Sequence, residues 1–147
     1  MPHFSLTFTE GAPIVNMVVG VSGARYQALV AAGQAIPPLQ NIRALVDTGA
    51  SGTCIDPMVF QALELQPTGS IPVLTPSTGN MPVDADTYDV SISIPNAPQA
   101  ALVIHNMPVT ASELFVAQGF HALLGRDILQ QCVLTYNGAI GLFMFAY

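Results

Sequence analysis

One aspartate draws attention because of what surrounds it. Arg43-Ala44-Leu45-Val46 opens with a charge and then reads as a buried apolar strand, which delivers Asp47 directly into Thr48-Gly49-Ala50-Ser51 ahead of a second short run, Cys54-Ile55. An ionised carboxylate desolvated at a strand end is costly, so it needs hydrogen-bond donors or a second carboxylate with which to share a proton. Gly49 permits a tight turn that brings backbone groups toward the carboxylate, and the Thr48 hydroxyl can tie that turn to a neighbouring loop. Taken alone, the tripeptide fits a capping aspartate in a glycine turn equally well.

Two other segments are distinctive. Val73 to Pro82 reads as a hairpin tip, and Leu123-Leu124-Gly125-Arg126-Asp127 runs an apolar stretch into a polar turn and a short helix. Cys54 and Cys132 lie in apolar surroundings and read as small buried hydrophobes. His3, His105 and His121 are scattered and show no metal-ligand spacing, so neither a metal nor another cofactor is expected. Asp84, Asp86 and Asp89 lie on an alternating strand and read as a solvated face.

The elements that must position these residues are short. Twelve Gly and twelve Pro are spread along 147 residues, which breaks the chain into many pieces. Strict alternation at Phe4, Leu6, Phe8 and at Tyr88, Val90, Ile92, Ile94 marks half-buried strands. Continuous apolar runs at Ile14 to Val21, Ala44 to Val46, Ala100 to Ile104 and Leu142 to Phe145 read as strands buried on both faces. Pro57 to Leu65, with Asp56 as N-cap, is expected to be helical, as is Asp127 to Cys132. Ala24 to Ala32, followed by Gly33 and Pro37-Pro38, is read as part of an elaborated hairpin.

Composition narrows the function classes. Hydrophobic residues make up 51% and charged residues only 8%, with mean hydropathy +0.51. The charge-free stretches Tyr26 to Ile42, Val90 to Ser112 and Ile128 to Tyr147 are broken by Gly, Pro, Asn and Gln, so no membrane span is expected. Three Arg, no Lys and nine acids give a net charge of -6, which argues against nucleic acid as a partner. The start, Met-Pro-His-Phe-Ser, lacks a basic stretch followed by an apolar one, and two Cys make no disulfide framework, so a cytoplasmic location is expected.

In order, the strand with Asp-Thr-Gly-Ala-Ser, the hairpin tip, the Tyr88-Asp89 strand and Leu-Leu-Gly-Arg-Asp resemble the retropepsin-like aspartic proteases, over roughly residues 43 to 129. The resemblance implies a mostly β, single-lobe acid-protease barrel with one or two short helices, a single domain over residues 1–147, active as a dimer. Asp47 is then the catalytic aspartate, Thr48 interlocks with its copy across the dimer, Gly49 contacts substrate through its backbone, and Ala50 and Ser51 complete the active-site loop. Thr75, Pro76, Ser77, Thr78, Gly79, Asn80 and Met81 form a flap over the cleft, with Gly79 at or near its tip. Gly125, Arg126 and Asp127 support the loops from below. Many retroviral members carry an acid where Ser51 stands, which pairs with the arginine; here Arg126 is expected to find Asp127 or Asp56 instead.

Aspartic proteases need two carboxylates sharing one proton. One Asp-Thr-Gly in the chain therefore implies a homodimer that places two copies of Asp47 on its two-fold axis. The expected activity is that of an aspartic endopeptidase. Its substrate would be an extended peptide with apolar residues beside the cut, matched by apolar candidates such as Val46, Ile71, Val73, Leu74, Met81, Val83 and Leu123. The terminal strands, apolar and without Lys or Glu at their edges, are expected to interleave between subunits. The alternative is a dimeric peptide-binding module of the same fold without turnover.

Overall fold

The computed structural model describes residues 1–76, 78–114 and 116–147. Its strands are β1 (His3–Thr7), β2 (Ile14–Val21), β3 (Gln40–Val46), β4 (Cys54–Ile55), β5 (Gly69–Val73), β6 (Val83–Ile94), β7 (Leu102–Ala111), β8 (Ala122–Leu124), β9 (Val133–Asn137) and β10 (Leu142–Ala146). Helices α1 (Gly23–Ala31), α2 (Pro57–Ala62) and α3 (Arg126–Leu129) are short, and a 3-10 turn covers Val116–Gln118.

Six strands close a barrel in the order β2-β3-β8-β4-β7-β6, because β6 pairs back onto β2 from Val90↔Val21 to Ser93↔Val18. Closure leaves those strands no free edge where they pair on both sides. Apolar residues from every strand of the barrel meet inside it, among them Val15, Met17, Val19, Ala44, Ile55, Ile92, Ile94, Val109 and Leu124. Strand β6 is long enough to serve two purposes: its second half belongs to the barrel, and its first half pairs with β5, from Thr87↔Gly69 to Val83↔Val73, as a projecting hairpin. The alternation at Tyr88, Val90, Ile92 and Ile94 follows from that position, since Val90, Ile92 and Ile94 face the core while Asp89 is exposed.

A second sheet of three strands, β1-β10-β9, lies beside the barrel. Phe143 and Phe145 of β10 are fully buried, and Phe4 stacks on Phe145 with ring centroids 5.6 Å apart. Within the chain the terminal strands pair with each other, the alternative to the expected interleaving between subunits. β1 pairs with β10 from His3↔Ala146 to Thr7↔Leu142 within one chain, and β10 pairs with β9 through a short turn. A short connection closes at little entropic cost, and Leu142–Ala146 becomes a central strand.

Helix α1 is the second difference. Ser22 caps it, accepting from the Arg25 N–H at 3.2 Å, and Gly33 at φ +65° ends it, so Pro37 and Pro38 lie beyond its reach. Helix α2 starts as expected, with the Asp56 carboxylate accepting from Met58 N–H and Pro57 in the first turn. Two strands read as buried on both faces are buried on one. In β7, Leu102 and Ile104 pack against the core while Val103 between them is exposed, and in β10 the phenylalanines alternate with half-buried Leu142 and Met144. With so much of the core resting on the phenylalanines of β10, Phe143→Ala is expected to cost about 3–5 kcal/mol of stability, read from denaturant titration of both proteins.

Candidate active site

Asp47 follows the last residue of β3, and the alternation of that strand decides which way it faces. Ile42, Ala44 and Val46 are buried in the core, so Arg43, Leu45 and Asp47 share the opposite face. Asp47 is half-buried, and Thr48 and Gly49 beside it are exposed. The neighbouring strand holds the backbone here: Asp47 N–H donates to Leu124 C=O at 3.1 Å, and Val46 N–H donates to Pro13 C=O at 2.9 Å. The carboxylate is oriented by its own turn, with Gly49 N–H donating to Asp47 Oδ1 at 2.8 Å. Close approach of these groups is what Gly49 supplies, since an added Cβ would lie 3.1 Å from that same oxygen.

The segment 47–53 is lashed to 124–128. Asp127 accepts from Thr53 N–H on Oδ2 at 2.7 Å, and on Oδ1 from the Thr53 hydroxyl at 2.7 Å and Ile128 N–H at 2.9 Å. The same Thr53 oxygen accepts from Gly125 N–H at 3.1 Å, so the hydroxyl is both donor and acceptor in a buried network. Arg126 N–H donates to Ala50 C=O at 3.0 Å. Gly125 lies so close that a Cβ there would be 2.8 Å from Thr53 N and nearer still to the Gly52 carbonyl. No larger residue fits without moving backbone.

Arg126 has a different partner from the one expected. Its Nη1 donates to the carbonyls of Thr48 at 2.9 Å and Gly49 at 3.2 Å, not to Asp127 or Asp56. Both acids are engaged elsewhere: Asp127 holds Thr53, and Asp56 caps α2 and accepts from Leu114 N–H at 3.1 Å. With no acid at position 51, the guanidinium turns to main-chain acceptors within its reach. Beside this clamp lies a largely apolar cavity of about 290 Å³, open to the surface and lined by Thr48, Arg126, Leu129, Gln130 and Leu134.

The structure thus brings Asp47, Thr48, Gly49 and Ala50 together with Gly125, Arg126 and Asp127; Ser51 is exposed at the loop's edge. Thr75, Pro76, Thr78, Gly79, Asn80 and Met81 lie at the tip of the β5–β6 hairpin, while Ser77 falls outside the described residues. Two successive turns build the tip, from Thr78 N–H to Thr75 C=O at 3.0 Å and from Met81 N–H to Thr78 C=O at 3.3 Å, with Gly79 at φ +60°. Of the apolar candidates, Ile71, Leu74, Met81 and Val83 are exposed on the hairpin, whereas Val46 faces the core and is not available.

Sequence reasoning missed Thr53, the hub of the network; its only signal was a hydroxyl between Gly52 and an apolar run. Cys54 follows it, a free thiol whose pKa is raised by burial and by the negative charges of Asp47 and Asp127, against a backbone hydrogen bond from Leu123.

Comparison with known proteins bears on this geometry. A family model described as aspartyl protease matches residues 22–128. No curated protein matches the chain. Among solved structures, a retropepsin-like aspartic protease from Rickettsia conorii aligns with a TM-score of 0.62 at 18% identity, covering 99% of this chain and 91% of that one. The EIAV protease complexed with the inhibitor HBY-793 aligns with a TM-score of 0.46 at 17% identity, covering 86% and 93%. The fold is therefore the retropepsin-like barrel.

Thr53→Val removes the hydroxyl and leaves Gly125 N–H and one Asp127 oxygen short of a partner, so a loss of about 1–3 kcal/mol is expected in denaturant titration. Because the Cys54 thiol ionises later in the fold than in the unfolded chain, the folded state holds the extra proton above the usual thiol pKa. Its contribution to stability falls as pH rises past that value. Iodoacetamide at pH 7.5 should accordingly label Cys54 several-fold more slowly in the native protein than in urea, followed by mass spectrometry.

Proposed function

The chain belongs to the aspartyl protease family whose model it matches, and from that premise we propose that two copies of it form one peptidase, with Asp47 of each supplying half of the catalytic pair. The observation that carries the reading is the position of Asp47. Its carboxylate stands on the outward face at the end of β3 with exposed Thr48 and Gly49 beside it, oriented by Gly49 N–H. A single carboxylate so placed can bind a water, and a second copy related by a two-fold axis supplies the partner acid.

In that arrangement the two Asp47 carboxylates hold one proton between them, because like charges about 3 Å apart cannot both ionise. The ionised member takes a proton from water as it attacks the peptide carbonyl. The protonated member donates to the carbonyl oxygen, which gives a gem-diol that collapses when the amide nitrogen is protonated and leaves. No covalent bond to the enzyme is made. The pair titrates as a unit, so activity should peak between two apparent pKa values on the acidic side of neutrality.

Several features support the rest of the reading. The cavity beside Thr48, lined by Leu129 and Leu134, is an apolar surface continuous with the active-site loop, as a subunit interface requires. The β5–β6 hairpin, with exposed Ile71, Leu74, Met81 and Val83, is the flap in this reading and favours apolar residues flanking the cut. Free thiols at Cys54 and Cys132 fit a reducing cytoplasm as the working compartment. Among the described residues no helix is long and apolar enough to cross a membrane.

Purified protein should cleave apolar-flanked peptides on the acidic side of neutrality, assayed from about pH 4 to 6. Asp47→Asn should reduce kcat by about a thousandfold or more while leaving the fold intact by circular dichroism. Sedimentation should give about twice 15.4 kDa for both proteins. Undiminished cleavage by the Asn variant, or full activity from a monomer, would overturn the proposal.

A further inference from the structure

The face of β3 that carries Asp47 also carries Arg43, and Arg43 has a site of its own. It lines a cavity of about 200 Å³ together with Leu6, Thr7, Thr9, Ile14 and Asn16, in the crevice where β1 and the chain following it pass beside the outer face of β2 and β3. Asn16 is directly opposite Arg43 in the β2–β3 register, and Ile14 is opposite Leu45. Four polar side chains belong to residues that line this space: two hydroxyls, an amide and a guanidinium. Among the described residues, none of the four makes a hydrogen bond or ion pair within the chain.

A half-buried guanidinium left unpaired forgoes the interaction that would repay its desolvation. The position is nonetheless built to hold it. Gly119, at φ +88°, presents bare backbone to the guanidinium, where a Cβ would lie 3.3 Å from Arg43 Nη1. Glu10, in the tight Thr9–Ala12 turn, also approaches this position, with its Oε2 3.9 Å from that same hypothetical Cβ. It does not pair with Arg43, and its negative charge competes with any anion that enters the crevice.

We propose that this crevice is a carboxylate-binding subsite, with Arg43 as the charged donor and Thr7, Thr9 and Asn16 as neutral ones. The volume sets the size of the ligand, since about 200 Å³ is below the usual 300–1,000 Å³ of a small-molecule pocket and suits the end of one acidic side chain or a small organic acid. The donor set sets its chemistry: a planar fork matches a carboxylate with two oxygens. Arg43 is four residues before Asp47 on one strand face, or about 13 Å at strand rise, which an extended peptide covers in about four residues. A substrate extended along that face would bring an acidic side chain about four residues from the scissile bond to it. That source of the carboxylate rests on the peptidase reading; binding of a free carboxylate does not.

The test has two arms that separate the sources. In the first, peptides carrying Glu or Gln at each of the three positions nearest that distance, on either side of one cleavable bond, are compared at constant ionic strength. The matched Glu peptide should have a kcat/KM about tenfold above its Gln counterpart, and Arg43→Gln should erase that difference while leaving the Gln peptide unchanged. Glu10→Gln, which removes the competing charge, should widen it. In the second arm, the ¹H–¹⁵N signal of Arg43 Nε is followed during titration with glutarate, acetate and inorganic phosphate. Saturable, Arg43-dependent shifts by glutarate without any Glu preference assign the subsite to a free acid. Absence of turnover would count against the peptidase reading and leave the titration to decide. Equal cleavage of all Glu and Gln pairs together with no saturable shift from any carboxylate overturns the proposal.

Discussion

Everything near Asp47 depends on one buried knot of hydrogen bonds, in which the Asp127 carboxylate holds Thr53 by its N–H and hydroxyl and the same hydroxyl receives Gly125 N–H. An ionised group in a low-dielectric setting gains most from several donors at once, and Asp127 has three. The knot fixes the far end of the 47–53 loop. The near end is fixed by the ladder to Leu124, and the middle by Arg126 through Ala50, Thr48 and Gly49. Nothing about the Asp47 carboxylate itself has to be unusual for its loop to be rigid. Rigidity comes from the segment behind it, which is why Gly125 cannot grow a side chain.

The barrel is what brings the two halves of the knot together. Parallel pairing of β3 with β8, Ala44 with Ala122, sets the end of one strand beside the start of α3. Strand β4 then inserts antiparallel against β8 and parallel to β7, which puts Thr53 over Gly125. Carboxylate, loop and support thus come from three parts of the chain that only a closed sheet makes neighbours. The hairpin of β5 and β6 stands outside this framework, joined to it through the continuous run of β6.

Much of this was legible in the sequence, for identifiable reasons. The Asp-Thr-Gly turn and Gly-Arg-Asp start of α3 use residue types with narrow conformational or bonding roles, so their neighbourhood can be read locally. Alternation exposed β6 because one of its faces is buried and the other is not. Three things were hidden. Helix α1 has its cap and stop, Ser22 and Gly33, but little apolar periodicity to announce it, since only Leu29 is buried. The partner of Arg126 depends on which oxygens lie within reach, and main-chain carbonyls leave no mark on a residue-type pattern. The pairing of β1 with β10 is a long-range choice between chains of equal composition, which strand propensity cannot decide.

That last pairing has a consequence for how the molecule comes into being. His3 pairs with Ala146, Ala44 with Ala122, and two of the largest buried side chains, Phe143 and Phe145, sit in β10, which follows the other nine strands in chain order. Contacts so distant along the chain make folding slow and leave little that is stable before β10 has been made. An emerging polypeptide therefore carries Asp47 well before the segments that assemble the loop around it. The topology acts as a timer, delaying the site until the whole sheet is in place.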